Sequence, residues 1–391
     1  SISSDRHGQS IEAQVVGFRE NTVLLMALES VHLIHPGCKV ISKKNSNAVP
    51  YGQSLLGRII DGMGRPIDGK GPLLAPQREG FHAEPPNPLS RGLISDHFST
   101  GIKSIDAFVP LGVGQRIGIF AGSGVGKSIL LGMIARGSSA EVNVISLVGE
   151  RGRELKEFVE KDLGPEGLAR SVIVVSTSDQ PAPMRIRASI LATAISEGFR
   201  NEGKQVLLLM DSLTRFAMAQ REIGLATGEP PASRGYVPSV FSMLPKILER
   251  TGTSDTGAIT AIYTVLVEGD DMNEPVADAV RGFLDGHIVL SRKLANANHF
   301  PAVDVLSSVS RLDRAVCTNE EMALISEARD LLSVYRQNED LINVGAYVKK
   351  SNPKIDKAIE KFDPIETFLK QRYDSLSTRE DAFNQLGEIF R

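Results

Sequence analysis

Residues Ala121-Gly-Ser-Gly-Val-Gly-Lys-Ser128 set glycines, a lysine and a hydroxyl within one short stretch. An apolar run, Ile117-Gly118-Ile119-Phe120, precedes it, and a helical pattern starts at Ile129. Strand, glycine-rich turn and helix form the context that a phosphate-binding loop requires. Gly122, Ser123, Gly124, Val125 and Gly126 would turn successive backbone N–H groups toward one anion. The following helix would point its positive end at the same place. Lys127 is expected to reach the β- and γ-phosphates of a nucleotide, and the Ser128 hydroxyl to hold Mg²⁺. The strict pattern begins with glycine, and here that position is Ala121.

A nucleotide site also needs a second metal anchor, a group that activates water, and a cation for charge on the transferred phosphoryl group. Val206-Leu-Leu-Leu-Met-Asp211 is an apolar strand that ends in an acid. Asp211 reads either as a helix cap before Ser212-Leu213-Thr214 or as a Mg²⁺ anchor; after a phosphate loop the metal role is favoured. Glu150 follows the strand Ile145–Val148 and lies beside Arg151 and Arg153. It fits a structural salt bridge and a water-activating carboxylate equally well. Pro301-Ala-Val-Asp-Val-Leu-Ser-Ser-Val-Ser310 is rich in turn residues and ends at Arg311, which local sequence alone reads as a surface arginine.

These residues need a scaffold. The chain has 391 residues, 41% hydrophobic and 23% charged, with a net charge of −3. That is an ordinary globular composition with no electrostatic footprint for nucleic acid or anionic lipid. Cys38 and Cys317 suggest a reducing compartment, and buried small hydrophobes rather than metal ligands. The strongest apolar run, Val206–Met210, is strand-sized. The chain opens at Ser1 without methionine, so further residues are expected ahead of it. Residues 1–82 read as short strands (11–16, 22–27, 31–34, 39–42) separated by turn signals such as Arg19-Glu20-Asn21, His35-Pro36-Gly37 and Asn45-Ser46-Asn47, which suggests a small β-barrel. Residues 83–90 are a proline-rich linker. Apolar strands then alternate with helical stretches to about 315, which argues for an α/β core with a mostly parallel sheet. From 316 to 391 three amphipathic helices are expected (320–336, 356–371, 379–390), forming a C-terminal helical domain.

Taken together, the phosphate loop, Gly149-Glu-Arg-Gly-Arg-Glu154, Met210-Asp-Ser-Leu-Thr-Arg215 and the 301–310 segment resemble the α/β family of rotary-type ATPases. The Leu56–Leu73 stretch is similar to that family's barrel-to-core junction. Residues 211–241 and Tyr263–Pro275 resemble the type III secretion branch, with the flagellar export ATPases most similar and the injectisome ATPases very close. The resemblance implies a RecA-like core between a small N-terminal barrel and a C-terminal helical domain. It implies an ATPase that converts ATP to ADP with Mg²⁺. It gives Glu150 as the catalytic glutamate, Asp211 as the Mg²⁺ anchor, and Arg151 and Arg215 as arginines near the γ-phosphate and the catalytic glutamate. Arg311 becomes an arginine finger donated to the neighbouring subunit. Phe300 falls where the family stacks an aromatic ring on adenine, although core phenylalanine reads as well, and Tyr347 is a second candidate for that job.

A finger acting across subunits implies a ring, by resemblance a homohexamer. Implied partners are a dimeric stator-like regulator at the N-terminus, a coiled-coil central stalk, export substrates with their chaperones, and a membrane export gate. The implied location is cytoplasmic, peripheral at the inner membrane. Two alternatives belong to other classes. A rotary F- or V-type catalytic subunit would carry an acidic motif that Asn319–Asp330 does not match. A Rho-like RNA translocase would need stacking aromatics and basic residues in the barrel. Residues 1–82 offer only Phe18, Tyr51 and Phe81 and no dense basic cluster, so no nucleic-acid partner is expected.

Overall fold

Consecutive apolar residues without a polar face make strands that must be covered on both sides. The computed structural model describes residues 1–3, 10–29, 31, 34–35, 37–43 and 48–391, with the backbone alone for 77–79 and Asp270. In it these runs build one nine-stranded sheet. Its strands are β1 (Arg58–Asp61), β2 (Arg116–Ala121), β3 (Val142–Val148), β4 (Ser171–Ser176), β5 (Gln205–Asp211), β6 (Gly252–Thr253), β7 (Ala258–Leu266), β8 (Gly286–Leu290) and β9 (Val309–Ser310). The spatial order is β9-β8-β2-β7-β5-β3-β4-β1, with β6 paired to β7. All pairings are parallel except those of β6 and β9. The expected α/β core is thus present, with its mostly parallel sheet.

Alternate residues of each strand feed opposite cores, as the two-residue period of a strand dictates. Val142, Val144, Val206, Leu208 and Met210 pack with Ile195 and Phe199 of α2 (Ala182–Asn201), Phe216 of α3 (Leu213–Thr227) and Leu244 of α4 (Pro238–Leu248). Ile145, Leu147, Leu207 and Leu209 pack on the other face. That face is covered by α1 (Lys127–Gly137) and by a helical unit of α5 (Asn319–Asn343), α6 (Pro353–Leu369) and α7 (Arg379–Phe390). In α5, Thr318 and Glu321 form a reciprocal capping box, the sequence signature of a helix start. The Tyr335 ring of α5 stacks on Phe362 of α6 with centroids 3.6 Å apart. Arg329 of α5 donates to the Phe108 carbonyl at 2.7 Å and the Ser308 carbonyl at 3.1 Å, which ties the helices to the core.

Ahead of the core, Ala13–Arg19 and Thr22–Ala27 form an antiparallel hairpin that turns at Glu20-Asn21. Short strands at 2–3, 10–11 and 39–40 form a second ladder, and 48–50 pairs with 77–79. Among the described residues these are separate ladders, consistent with a small barrel. The expected strand at 31–34 and the turn at 45–47 lie wholly or partly outside the described residues. Within the glycine-rich 56–71 stretch, β1 leaves the N-terminal ladders and pairs with β4 as the sheet's edge. That pairing joins Arg58 to Val172, a partner far along the chain. Both cysteines are free and half-buried rather than buried, and Cys317 accepts a hydrogen bond from Arg379 at 3.4 Å.

A buried ion pair pins the chain just ahead of the linker to this core. Arg250 donates to both oxygens of Glu197, at 2.9 and 2.7 Å, and to the Phe81 carbonyl at 3.0 Å. Their side chains are 7% and 4% exposed. Removing one partner strands a charge away from water, which typically costs about 3–5 kcal/mol. Glu197→Ala should therefore lower the free energy of urea unfolding by about that amount. A loss below about 1 kcal/mol would show that water reaches Arg250 after all.

Candidate active site

The first turn of α1 has no side chain to cap it. Gly126 is its N-cap, in the left-handed region at φ 86°, and Gly124 before it has φ 78°. Side chains disfavour both conformations, so glycine is required there. The turn exposes Ser123, Gly124 and Ser128 and buries Val125 against the core. The N–H groups at the start of α1 have no intrahelical acceptor and face outward with the helix's partial positive charge. Ala121, in place of the usual glycine, is the last residue of β2 and fully buried. A methyl group fits there because the position is regular strand.

Three strand ends converge at this loop. Lys127 Nζ contacts Asp211 Oδ1 and lies 4.0 Å from Glu150 Oε1. Asp211 ends β5 and is 4% exposed. It accepts a 2.6 Å hydrogen bond from the Thr264 hydroxyl on the neighbouring strand β7. The cap of α3 is a different residue: Ser212 accepts from the Arg215 N–H at 3.2 Å. Asp211 is therefore free of capping duty and aimed at Lys127.

Glu150 follows Gly149, whose φ of 72° turns the chain out of β3. Burial, opposed by the Lys127 ammonium and reinforced by the charge of Asp211, pushes the Glu150 carboxyl up to about 7. Arg215 is half-buried on the first turn of α3, packed against Gly149. Its charge stabilises ionised Glu150, while its own Nε is buried without a partner.

Other candidates lie elsewhere. The Arg151 side chain is 82% exposed and sits 3.4 Å from Glu154, in a local pair. Tyr347 exchanges hydrogen bonds with Asn352 in the connection between α5 and α6. Phe300 does reach the loop: a methyl group placed on Gly126 would meet its ring at 3.4 Å. Arg311 is exposed, and its guanidinium donates to the Arg281 carbonyl at 3.3 Å. Its backbone N–H donates to the Asp285 carbonyl, and the Asp285 N–H to the carbonyl of Arg116 at the start of β2. The phosphate loop leaves the other end of β2, five residues on. At about 3.3 Å per residue the two levels are roughly 16 Å apart. Arg311 and Lys127 of one chain thus occupy opposite ends of the sheet.

Thr264 escaped sequence reading. It sits in an apolar strand, and its proximity to Asp211 follows only from the pairing of Met210 with Tyr263. That one hydroxyl interrupts the run Tyr263-Thr-Val-Leu-Val267 was the only signal.

With this geometry in place, comparison with known proteins is specific. The chain belongs to the ATP synthase α/β family: the model of that family's nucleotide-binding domain matches residues 101–310. A model of the type III secretion EscN ATPase C-terminal domain matches residues 317–388. The flagellum-specific ATP synthase of Bacillus subtilis is 53% identical over 384 residues, covering 98% of this chain and 87% of that protein. The assembled ATPase EscN of the enteropathogenic E. coli type III secretion system superposes with a TM-score of 0.94 at 44% identity, covering all of this chain and 94% of that one. The same ATPase in complex with its central stalk EscO gives 0.89 at 45% identity, covering 97% and 92%. Within the family the chain falls in the flagellar and type III secretion branch and is an ATP hydrolase. The rotary-synthase and RNA-translocase alternatives are not favoured.

If Glu150 acts as a carboxylate on water, the free enzyme must lose that proton to be active. Wild-type kcat/KM for ATP should then rise with pH to a plateau, with its midpoint near 7, because this ratio reports groups of the free enzyme. Glu150→Gln should bind ATP while turnover falls at least about a hundredfold and loses that limb. A flat wild-type profile between about pH 6 and pH 8 would contradict the assignment.

Proposed function

We propose that this export ATPase hydrolyses ATP between subunits of a homohexameric ring. The observation that carries the reading is the placement of Arg311 at the opposite end of the sheet from Lys127, Glu150 and Asp211. No single chain brings all four to one phosphate. A neighbour packed end to end around a ring can supply the missing arginine.

In this reading the glycine loop and α1 bind the β- and γ-phosphates, with Lys127 as the cation. The donor set suits Mg²⁺: an exposed hydroxyl on Ser128 and a buried carboxyl on Asp211 offer hard oxygen ligands. Mg²⁺, when bound, neutralises charge on the phosphate oxygens. For Lys127 to meet phosphate, its contact with Asp211 must open; Thr264 keeps Asp211 in place when it does. Glu150 orients the water whose oxygen attacks the γ-phosphorus as the bond to the ADP oxygen breaks. Arg215, whose charge acts on Glu150 and whose buried Nε has no partner, holds that carboxylate or the departing phosphate. Arg311 of the adjacent subunit stabilises the developing charge, a contribution typically of roughly three to five decades in rate.

Among the described residues no helix is long and apolar enough to cross a membrane, which suits a peripheral role at an export gate. Similarity to an ATPase solved with its central stalk supports a coiled-coil partner in the ring pore. The helical unit α5–α7 is the face proposed for export substrates and chaperones, whose release or unfolding the hydrolysis would drive. A dimeric regulator would bind at the N-terminal end of the chain.

A mixing experiment tests the arrangement. Lys127→Ala and Arg311→Ala chains should each hydrolyse ATP at least about a thousandfold more slowly than wild type. Mixed before ring assembly, they should recover a readily measured fraction of wild-type turnover. At some interfaces an intact loop then faces an intact finger. No recovery in rings shown to contain both chains would place the finger within its own subunit.

A further inference from the structure

The C-terminal helices grip Phe300 from both sides of its peptide. His299 is 2% exposed, and its Nδ1 lies 2.8 Å from Glu366 Oε2 on α6. Just beyond α6, the Gln371 N–H donates to the Phe300 carbonyl at 2.9 Å. Gln371 is itself fixed to the core: its side chain accepts from the Lys103 N–H and donates to the Gly101 carbonyl, both at 2.8 Å. Burial alone would raise the Glu366 carboxyl, but the hydrogen bond from His299 and the nearby cations hold it below the usual range. An ionised Glu366 can only accept, so Nδ1 carries the proton. Arg336 of α5 pairs with Asp304 at 2.8 Å, a few residues further along the chain.

The Phe300 ring meets Gly126, the cap of α1. Its position against the phosphate loop is therefore set by α6. We propose that Glu366 and His299 are positioning residues for nucleotide binding: through them α6 holds Phe300 on the base side of the loop, and a displacement of α6 changes the affinity for ATP. This rests on the reading that Phe300 touches bound nucleotide. It gives the helical unit, proposed above to meet export substrates, a mechanical route to the active site.

The test measures Kd for a ribose-labelled fluorescent ATP, with kcat at saturating ATP, in assembled wild type and variants whose fold is checked by circular dichroism. Small misplacements of binding groups cost up to about a hundredfold. Glu366→Ala should weaken binding by about tenfold, as Phe300→Ala does, and leave kcat within about twofold. Glu366→Gln, which keeps an acceptor for Nδ1–H, should restore binding. The double variant Phe300→Ala/Glu366→Ala should bind no more weakly than Phe300→Ala alone, because both act through one ring; a merely structural effect would add. If Glu366→Ala does not fold, His299→Asn is held to the same criteria. Unchanged affinity in Phe300→Ala would overturn the reading of Phe300, and the proposal with it. Weakened binding in Phe300→Ala but not in Glu366→Ala, or additive losses in the double variant, would overturn the proposal alone.

Discussion

Parallel strands give a sheet two unlike ends, and everything proposed for this chain depends on that polarity. Ligands of open α/β sheets bind at the carboxyl ends of the strands. The ends of β2, β3 and β5 deliver the phosphate loop, Glu150 and Asp211 there. The chain then does something a purely parallel sheet could not. After β8 it turns at residues 291–301 and runs back along that strand, pairing Val303 with Leu290 and Ser310 with Gly286. One strap therefore begins beside its own phosphate loop at Phe300 and ends at the far edge at Arg311. In a ring, the same strap would touch the nucleotide of its own subunit at one end and that of its neighbour at the other.

Electrostatics at the carboxyl end are poised rather than settled. Two carboxylates and one ammonium share a poorly hydrated space. Asp211 has the Lys127 contact and the Thr264 hydrogen bond, whereas Glu150 stands 4.0 Å from the lysine and is pushed up to about 7 by burial. Unequal environments of this kind assign unequal roles to like groups: a carboxyl fixed between a cation and a hydroxyl suits a metal, and an acid that titrates near neutrality suits proton handling. These unequal environments follow from the order in which β7, β5 and β3 lie side by side.

Local features of this chain were legible in its sequence. The phosphate loop, the acid that ends the Val206–Met210 strand and the glutamate after Val148 are each set by a few neighbouring residues and a strand's exit direction. The alternation of strands and helices also gave the core, because covered strands are apolar throughout. Non-local features were not legible. β1 hides in a glycine-rich turn region and is a strand only because β4 offers an edge. Thr264 matters through a cross-strand neighbour, and Glu366 through a histidine 67 residues away. Arg151 sits next to Glu150 in sequence, yet the turn sends it outward to Glu154. Arg311 was expected as a finger only by resemblance; what the structure adds is the physical reason that it cannot serve its own loop.

The central claim is that a complete site needs two subunits. The most direct measurement is specific ATPase activity against protein concentration, with the assembly state followed by light scattering on the same samples. The account predicts low activity in the monomer and a steep rise that tracks ring formation, approaching about three decades. Specific activity that stays constant from monomer to ring would contradict it.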